Sequence, residues 1–458
     1  MEETTANVIE DLLKAQRIFF ATQQTKSISF RIEKLKKLRA VIQKQQEKIA
    51  EALWKDLHKS FEEAYLTEIS IVLQELDLHI RKLKCWTRSK RVPTPIHLLP
   101  SSSRISYEPL GIALIIAPWN YPFQLLMNPL VGAVSAGCCA ILKPSPYAPN
   151  IAKVMEDIVK ETFTPEYITT VQGNRSVNGI LLGLRFDMIF YTGSPAVGKV
   201  VMKAASEHLT AVVLELGGKS PCIVDAGADI DVAAKRISWG KTINAGQTCI
   251  APDYLFVHRS IKEELLKKIG MNIQKMFGPD IRHSKYFPRI INQQAFLRLQ
   301  KLMEHGTIRF GGQTDAGELY IAPTIIDDVH PDFPVMQEEI FGPILPVMTF
   351  DRIEEAVSYI NEHEKPLAFY YFGKSSEAKD ILLKTTSGGA CINDTLMHIG
   401  NHHLPFGGVG NSGLGKYHGH ESFLAFSNAR AVVYTPTWID LPLKYAPFLY
   451  FKWIRKII

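Results

Sequence analysis

One stretch, residues 104–150, constrains this chain more than any other. "RISYEPLGIALIIAPWN" contains a strand-like apolar run that ends at Pro118, and "CCAILKPSP" is a second short apolar run closed by prolines. Between them, "QLLMNPLVGAVSAG" suits a helix. Strand, helix, strand is the signature of a βαβ unit in a parallel sheet. The alternation continues: "YITTVQG", "MIFYTGS" and "AVVLELGG" read as buried strands, separated by helical stretches such as "PAVGKVVMKAASEHL". A second α/β region runs from about Asp229 to Ser387. At 458 residues the chain exceeds what one core organises, so two or three domains are expected.

The flanks differ. Residues 7–90 carry helical periodicity, with apolar residues three and four apart. The cluster Lys34, Lys36, Lys37 and Arg39 reads as the solvated face of such a helix, because Glu33 and Glu47 alternate with it. "RVPTPIHLLPSSS" (91–103) then breaks the pattern and reads as a connector. The region Ala390–Ser427 is rich in glycine, histidine and asparagine and poor in regular pattern.

Composition excludes several classes. A net charge of +6 without basic runs interleaved with aromatics argues against nucleic acid. Cys85, Cys138, Cys139, Cys222, Cys249 and Cys391 show no metal-ligand spacing, so no zinc or other metal is expected, and reduced thiols in a cytoplasmic protein are. The acidic N-terminus lacks the basic and apolar regions of a secretory signal. No apolar run reaches the ~18 residues that span a bilayer.

Candidate chemistry gathers at several short motifs. In "NAGQTCIAP", Cys249 is either a nucleophile or a buried thiol, and only partners elsewhere decide which. In "VVLELGGKSP", Glu215 interrupts the apolar end of a strand, so it is paired, exposed at the strand end, or functional. In "IIAPWNYPF", Asn120 sits on a stiff loop, either as a turn residue or as a fixed donor to an oxyanion. "FYTGSPAVGKVV" runs a strand through Gly193 and Ser194 into a helix with Gly198 in its first turn. That spacing fits a nucleotide phosphate site and a plain strand-to-helix turn equally. "MQEEIFGPILPV" places Glu339 and Phe341 beside a Gly-Pro turn, and "LPFGGVGNSGLG" packs five glycines into twelve residues. A loop so rich in glycine is costly to order unless it wraps something.

Read in order, "PWNYPF", "LKPS", "YTGS…G", "LELGGKSP", "GQTCIAP", "EEIFGP" and "LPFGGVGNSG" resemble the NAD(P)-dependent aldehyde dehydrogenase superfamily, most closely its class-3, fatty and aromatic aldehyde branch. The likeness runs from about residue 10 to 435. It implies an α/β fold with a Rossmann-like cofactor domain (1–100 and 110–214) and an α/β catalytic domain (215–387). It also implies a small oligomerisation sheet (101–109 and 388–436), a tail at 437–458 and a homodimer. By the same resemblance Cys249 is the nucleophile, Glu215 the general base, and Asn120 an oxyanion-hole donor together with the Cys249 N–H. Lys143 would bind the adenosine ribose, Gly193, Ser194 and Gly198 the pyrophosphate turn, Glu339 the nicotinamide ribose, and Phe341 would pack near the nicotinamide ring. Thiolate attack on an aldehyde gives a thiohemiacetal, hydride leaves to the cofactor, and water activated by Glu215 hydrolyses the thioester.

The chain departs from the family pattern in places. Pro146 stands where relatives commonly carry a glutamate that accepts the ribose 2′-hydroxyl. NADP is therefore expected to serve as well as NAD, or better. Cys138-Cys139, Cys85, Cys222 and Cys391 read as packing, and His398, His402 and His403 as loop histidines near the substrate entrance. Tyr65 and Tyr121 are candidates for the funnel of a medium or long aliphatic, or aromatic, aldehyde. The tail "LPLKYAPFLYFKWIRKII" mixes apolar residues with Lys444, Lys452, Arg455 and Lys456. It suits docking on protein first and peripheral membrane contact second. Two other readings are a CoA-acylating dehydrogenase, against which Glu215 argues, and a catalytically silent cofactor-binding relative.

Overall fold

A computed structural model describes residues 3–440 and 442–455, so Leu441, Lys456 and the last two residues of the tail lie outside the described residues. Five parallel strands form the first sheet, in the spatial order Ala211–Leu216, Met188–Gly193, Ile112–Ile116, Cys139–Lys143 and Ile168–Thr170. A short strand, Gly413–Leu414, adds antiparallel to Ala211–Leu216. Every residue of Ile112–Ile116 and of Cys139–Lys143 is buried, which explains why these strands read as unbroken apolar runs. Pro122–Ala136 connects them. This helix is buried all round and stops at Gly137, whose φ of 95° is a left-handed cap.

The helical flank covers that sheet. Ala6–Ala21 packs on its strands, whereas Ile28–Lys44, Gln46–Leu57 and Ser70–Trp86 bury their apolar faces against one another and against the covering helices Pro122–Ala136 and Pro149–Thr162, as the periodicity of residues 7–90 predicts. Tyr65–Ile69 forms one wide turn leading into Ser70–Trp86.

A second sheet of seven strands is mostly parallel and includes Pro221–Val224, Tyr254–His258, Ile344–Phe350 and Ala368–Phe372. Gly389–Ile392, placed by the sequence reading in the bridging element, pairs instead with Ala368–Phe372 at the edge of this sheet. The separate small sheet is antiparallel and joins Lys90–Val92, Ser102–Pro109 and Ser427–Tyr434. The connector thus starts one strand earlier than its prolines suggest, because Lys90–Val92 precedes them.

Candidate active site

The first sheet reverses direction between Ile112–Ile116 and Met188–Gly193. From the former the chain winds outward through Cys139–Lys143 and Ile168–Thr170, then crosses back. Such a switch point leaves a crevice at the carboxyl ends of the strands, where open α/β sheets hold ligands. Asn120 follows the first of these strands, Gly193 ends the second, and Glu215 lies at the end of the neighbouring strand.

Cys249 reaches this crevice through a strained turn. After the helix Ile230–Thr242, Asn244 and Ala245 both take φ of 51° and Gly246 takes 72°. Left-handed backbone is costly for residues other than glycine, so three in a row persist only where the surroundings hold them. Gln247 is one such hold: its Oε1 accepts the Ile291 N–H at 3.0 Å, and its amide donates to Asn244 O at 3.1 Å and Arg289 O at 2.9 Å. The smallness of this motif has a second cause. A side chain on Gly246 would collide with the Gly342 backbone. Burial pushes the Cys249 thiol up, and the fields of Glu339 and Glu215 push it further, so the resting sulfur carries its proton.

Asn120 is 2% exposed and its Nδ2 donates to Gln247 O at 3.0 Å. Its own carbonyl accepts from Asn244 Nδ2 at 2.8 Å and from Lys59 Nζ at 3.3 Å. The lysine is wholly buried and pairs with the equally buried Glu68 at 2.6 Å. The other Glu68 oxygen accepts the Phe123 N–H at 2.8 Å, at the start of the helix that follows Asn120. Lys59 also lies 4.2 Å from the centre of the Tyr121 ring. Lys59 and Glu68 therefore clamp the loop that carries Asn120. The sequence reading missed both, since nothing in "HKSFEEAYLTEIS" marks them apart from an ordinary helical charge pattern.

Glu215 is 3% exposed, and neither of its carboxylate oxygens has a partner among the described residues. Burial holds its carboxyl well above the usual range, against a smaller opposing effect of Lys416. Lys416 itself donates to the carbonyls of Gly407 and Gly408 in the glycine-rich loop. That loop passes close over the glutamate. A Cβ on Gly407 would stand 2.7 Å from Glu215 Oε1.

A cavity of about 610 Å³ opens onto Cys249. Its wall includes Leu66, Ile71, Leu125, Trp239, Met276, Phe277, Met397 and Ile399, and Tyr121 lines it with Thr248. The Tyr121 hydroxyl and Thr248 Oγ1 lie 2.7 Å apart. Tyr65 does not join them: it is 36% exposed, stacks on Phe61 with ring centres 6.3 Å apart, and falls outside the lining residues. Leu66 and Thr67 of that wide turn line the cavity in its place. His402 lines the cavity, whereas His398 turns its Nδ1 to Cys391 Sγ at 3.2 Å.

Comparisons with known proteins establish the family. Residues 1–432 match the aldehyde dehydrogenase family. The chain is 46% identical over 453 residues to the 4,4′-diaponeurosporen-aldehyde dehydrogenase of Staphylococcus aureus, covering 98% of this chain and 99% of that one. It is 42% identical to the dimeric NADP-preferring aldehyde dehydrogenase of Canis lupus familiaris, covering 96% and 98%. Among solved structures, the substrate-bound state of Staphylococcus aureus AldH superposes with a TM-score of 0.96 at 45% identity, over 98% of this chain and 99% of that one. The chain belongs to the aldehyde dehydrogenase family. It is an enzyme that oxidises aldehydes to carboxylic acids with NAD(P).

This aldehyde dehydrogenase offers a cradle that suits a dinucleotide. Ser194 caps the helix Pro195–Ser206, accepting the Val197 N–H at 3.4 Å, so the positive end of that helix lies at the carboxyl end of the strand Met188–Gly193. Gly198 lets that helix approach the sheet, because a Cβ there would stand 2.8 Å from Leu216 Cδ2. Glu339 is packed against Gly217, and its Oε1 is buried without a partner among the described residues. A ribose hydroxyl would satisfy that oxygen. Burial, then the neighbouring Asp253, push the Glu339 carboxyl up to about 8. Phe341, with φ of 50°, meets the Trp119 ring edge-on at 5.4 Å, beside the Asn120 loop. Lys143 is 1% exposed at the end of its strand and donates to Pro144 O at 2.8 Å; burial lowers its amine to about 8. Pro146 is exposed on the loop that follows. No cluster of metal-ligating residues occurs among the described residues.

Proposed function

We propose that this enzyme oxidises medium- and long-chain aliphatic or aromatic aldehydes, with Cys249 as the nucleophile and Glu215 as the base. The observation that carries this reading is the large apolar cavity ending on Cys249, with Glu215 near enough for its field to act on the sulfur. Cys249 adds to the carbonyl carbon once its thiol proton has left. The oxyanion so formed needs fixed donors, which the Asn120 amide and the Cys249 N–H supply. Bound NAD(P) accepts the hydride in this chemistry. Water then attacks the Cys249 thioester while Glu215 takes its proton, and the carbon–sulfur bond breaks to release the acid and the Cys249 thiolate.

Glu215 can do this only when ionised. A carboxyl held neutral by burial becomes a base when water enters beside it and restores part of its solvation. The clamp of Lys59 and Glu68 serves orientation, keeping the Asn120 loop at its distance from Gln247 and the sulfur.

Pro146 in place of an acidic residue removes repulsion against a 2′-phosphate, so NADP serves as well as NAD or better. The small antiparallel sheet, with Val433 and Tyr434 exposed along Ser427–Tyr434, supports a homodimer, and the exposed Trp438, Phe448 and Leu449 of the tail support docking on the partner subunit. No helix among the described residues is long and apolar enough to cross a membrane.

Growth of NAD(P)H absorbance with hexanal or benzaldehyde tests this reading, run with NAD and NADP in parallel and with Cys249→Ala. Turnover that vanishes in the variant, with NADP at least equal to NAD, is the expected result. Turnover surviving in Cys249→Ala would overturn it.

A further inference from the structure

The aldehyde cavity is apolar, but its charge is one-sided. Glu62, Glu63 and Glu75 line it, and among the described residues no lysine or arginine does. Glu75 is committed elsewhere: it accepts from His79, the Gly419 N–H and the Ser422 hydroxyl, and stays anionic, drawn down to about 2 mainly by His79 against burial. Burial holds His418 neutral, near 4. Glu63 differs from both. Its side chain is half-buried on the cavity wall, and its Oε1 accepts the Asn244 N–H at 2.8 Å, at the left-handed turn leading to Cys249. The nearest cation, Lys59, is sealed against Glu68 and reaches the cavity with no exposed surface.

The reaction converts a neutral aldehyde into a carboxylate inside this space. A second negative charge in a water-poor channel costs energy that water would screen in the open. Resting on the reading of the cavity as the aldehyde channel, we propose that Glu63 makes it an anion-rejecting channel, which excludes aldehydes bearing a carboxylate and drives out the carboxylate product. The groups acting on Glu63 are Lys59, the Asn244 N–H and Glu68, and its charge is felt in turn by Tyr121. Burial outweighs Lys59 and holds the Glu63 carboxyl up to about 7, so rejection strengthens as pH rises through that value and the carboxyl ionises.

The test is Glu63→Gln in the full chain, since glutamine keeps an oxygen for the Asn244 N–H. Two quantities are read at pH 8.5: the ratio of kcat/KM for octanal carrying a terminal carboxylate to that for octanal, and the inhibition constant of octanoate. The ratio should rise about tenfold and octanoate should inhibit about tenfold more tightly, as removal of one nearby charge at intermediate dielectric predicts. At pH 5.5 the variant and the native enzyme should converge. An unchanged ratio and unchanged octanoate inhibition at pH 8.5 would overturn the proposal. Should Glu63→Gln lose octanal turnover, Glu63→Asn is measured in the same way, and loss in both overturns it in favour of a purely structural contact. No octanal turnover in the native enzyme would instead sink the aldehyde-channel reading itself.

Discussion

Two regions of the molecule meet at Cys249 and are built on opposite terms. On one side are the loops at the carboxyl ends of the first sheet, which carry Asn120, Ser194 and Glu215. Their residues sit at the ends of buried strands or at fixed offsets from them, so the residues proposed for the chemistry and the fold are specified by the same short motifs. On the other side is the cavity wall, drawn from Leu66, Trp239, Phe277 and Met397, which lie far apart in sequence and share only apolar character. The first region tolerates little change in side-chain chemistry. The second requires only shape and the absence of positive charge. A site can thus hold its reaction fixed while its substrate range drifts.

The sharpest way to break this comparison is Glu215→Gln. If the loops carry the chemistry, kcat should fall by about 10²- to 10⁴-fold, the usual worth of a general base. The structure adds a sign. A base acts only when ionised, and burial raises the Glu215 carboxyl well above its usual range, so native turnover should climb as pH rises through that raised value, along a limb that the glutamine variant lacks. Steady-state rates between pH 6 and 9 decide it. Equal pH profiles in the two proteins would remove Glu215 from the base role.

The clamp behind Asn120 gives the next largest effect. Lys59→Met leaves Glu68 charged and buried with no cation, which costs about 3–5 kcal/mol in comparable buried pairs. Urea unfolding should show that loss. The double variant Lys59→Met with Glu68→Leu should recover most of the stability while kcat stays depressed, because the Asn120 carbonyl still lacks its lysine. Full recovery of kcat in the double variant would make the clamp a packing feature alone.

The difference between the two regions also explains what the sequence could disclose. The parallel sheet was legible because strands buried on both faces must be apolar throughout, and the prolines and glycines that end them are visible. Cys249, Glu215 and Asn120 could be named as a set only through the resemblance of their motifs, read in order, to a known family, because each motif alone left a structural reading open. Lys59 and Glu68 were not legible. Nine residues apart, on either side of a helical turn, they resemble surface charges, and only the fold reveals that both are buried. Gly389–Ile392 was misplaced for a related reason: four residues in a glycine-rich region carry too little pattern to show which sheet edge they complete.

The smallest expected effect separates the two tyrosines expected in the funnel. Tyr121→Phe removes the hydroxyl bonded to Thr248 beside Cys249, a neutral hydrogen bond of the kind worth about 1 kcal/mol net, so kcat/KM should drop by roughly fivefold. Tyr65 stacks on Phe61 outside the cavity lining, and its replacement by alanine removes no lining residue and no member of the clamp. Its kcat/KM for hexanal should stay within the error of the native value. A fall as large as that in Tyr121→Phe would show that the entrance of the cavity extends over Tyr65. The boundary between motif-bearing loops and interchangeable wall would then have to be redrawn to include the exposed turn at residues 61–65.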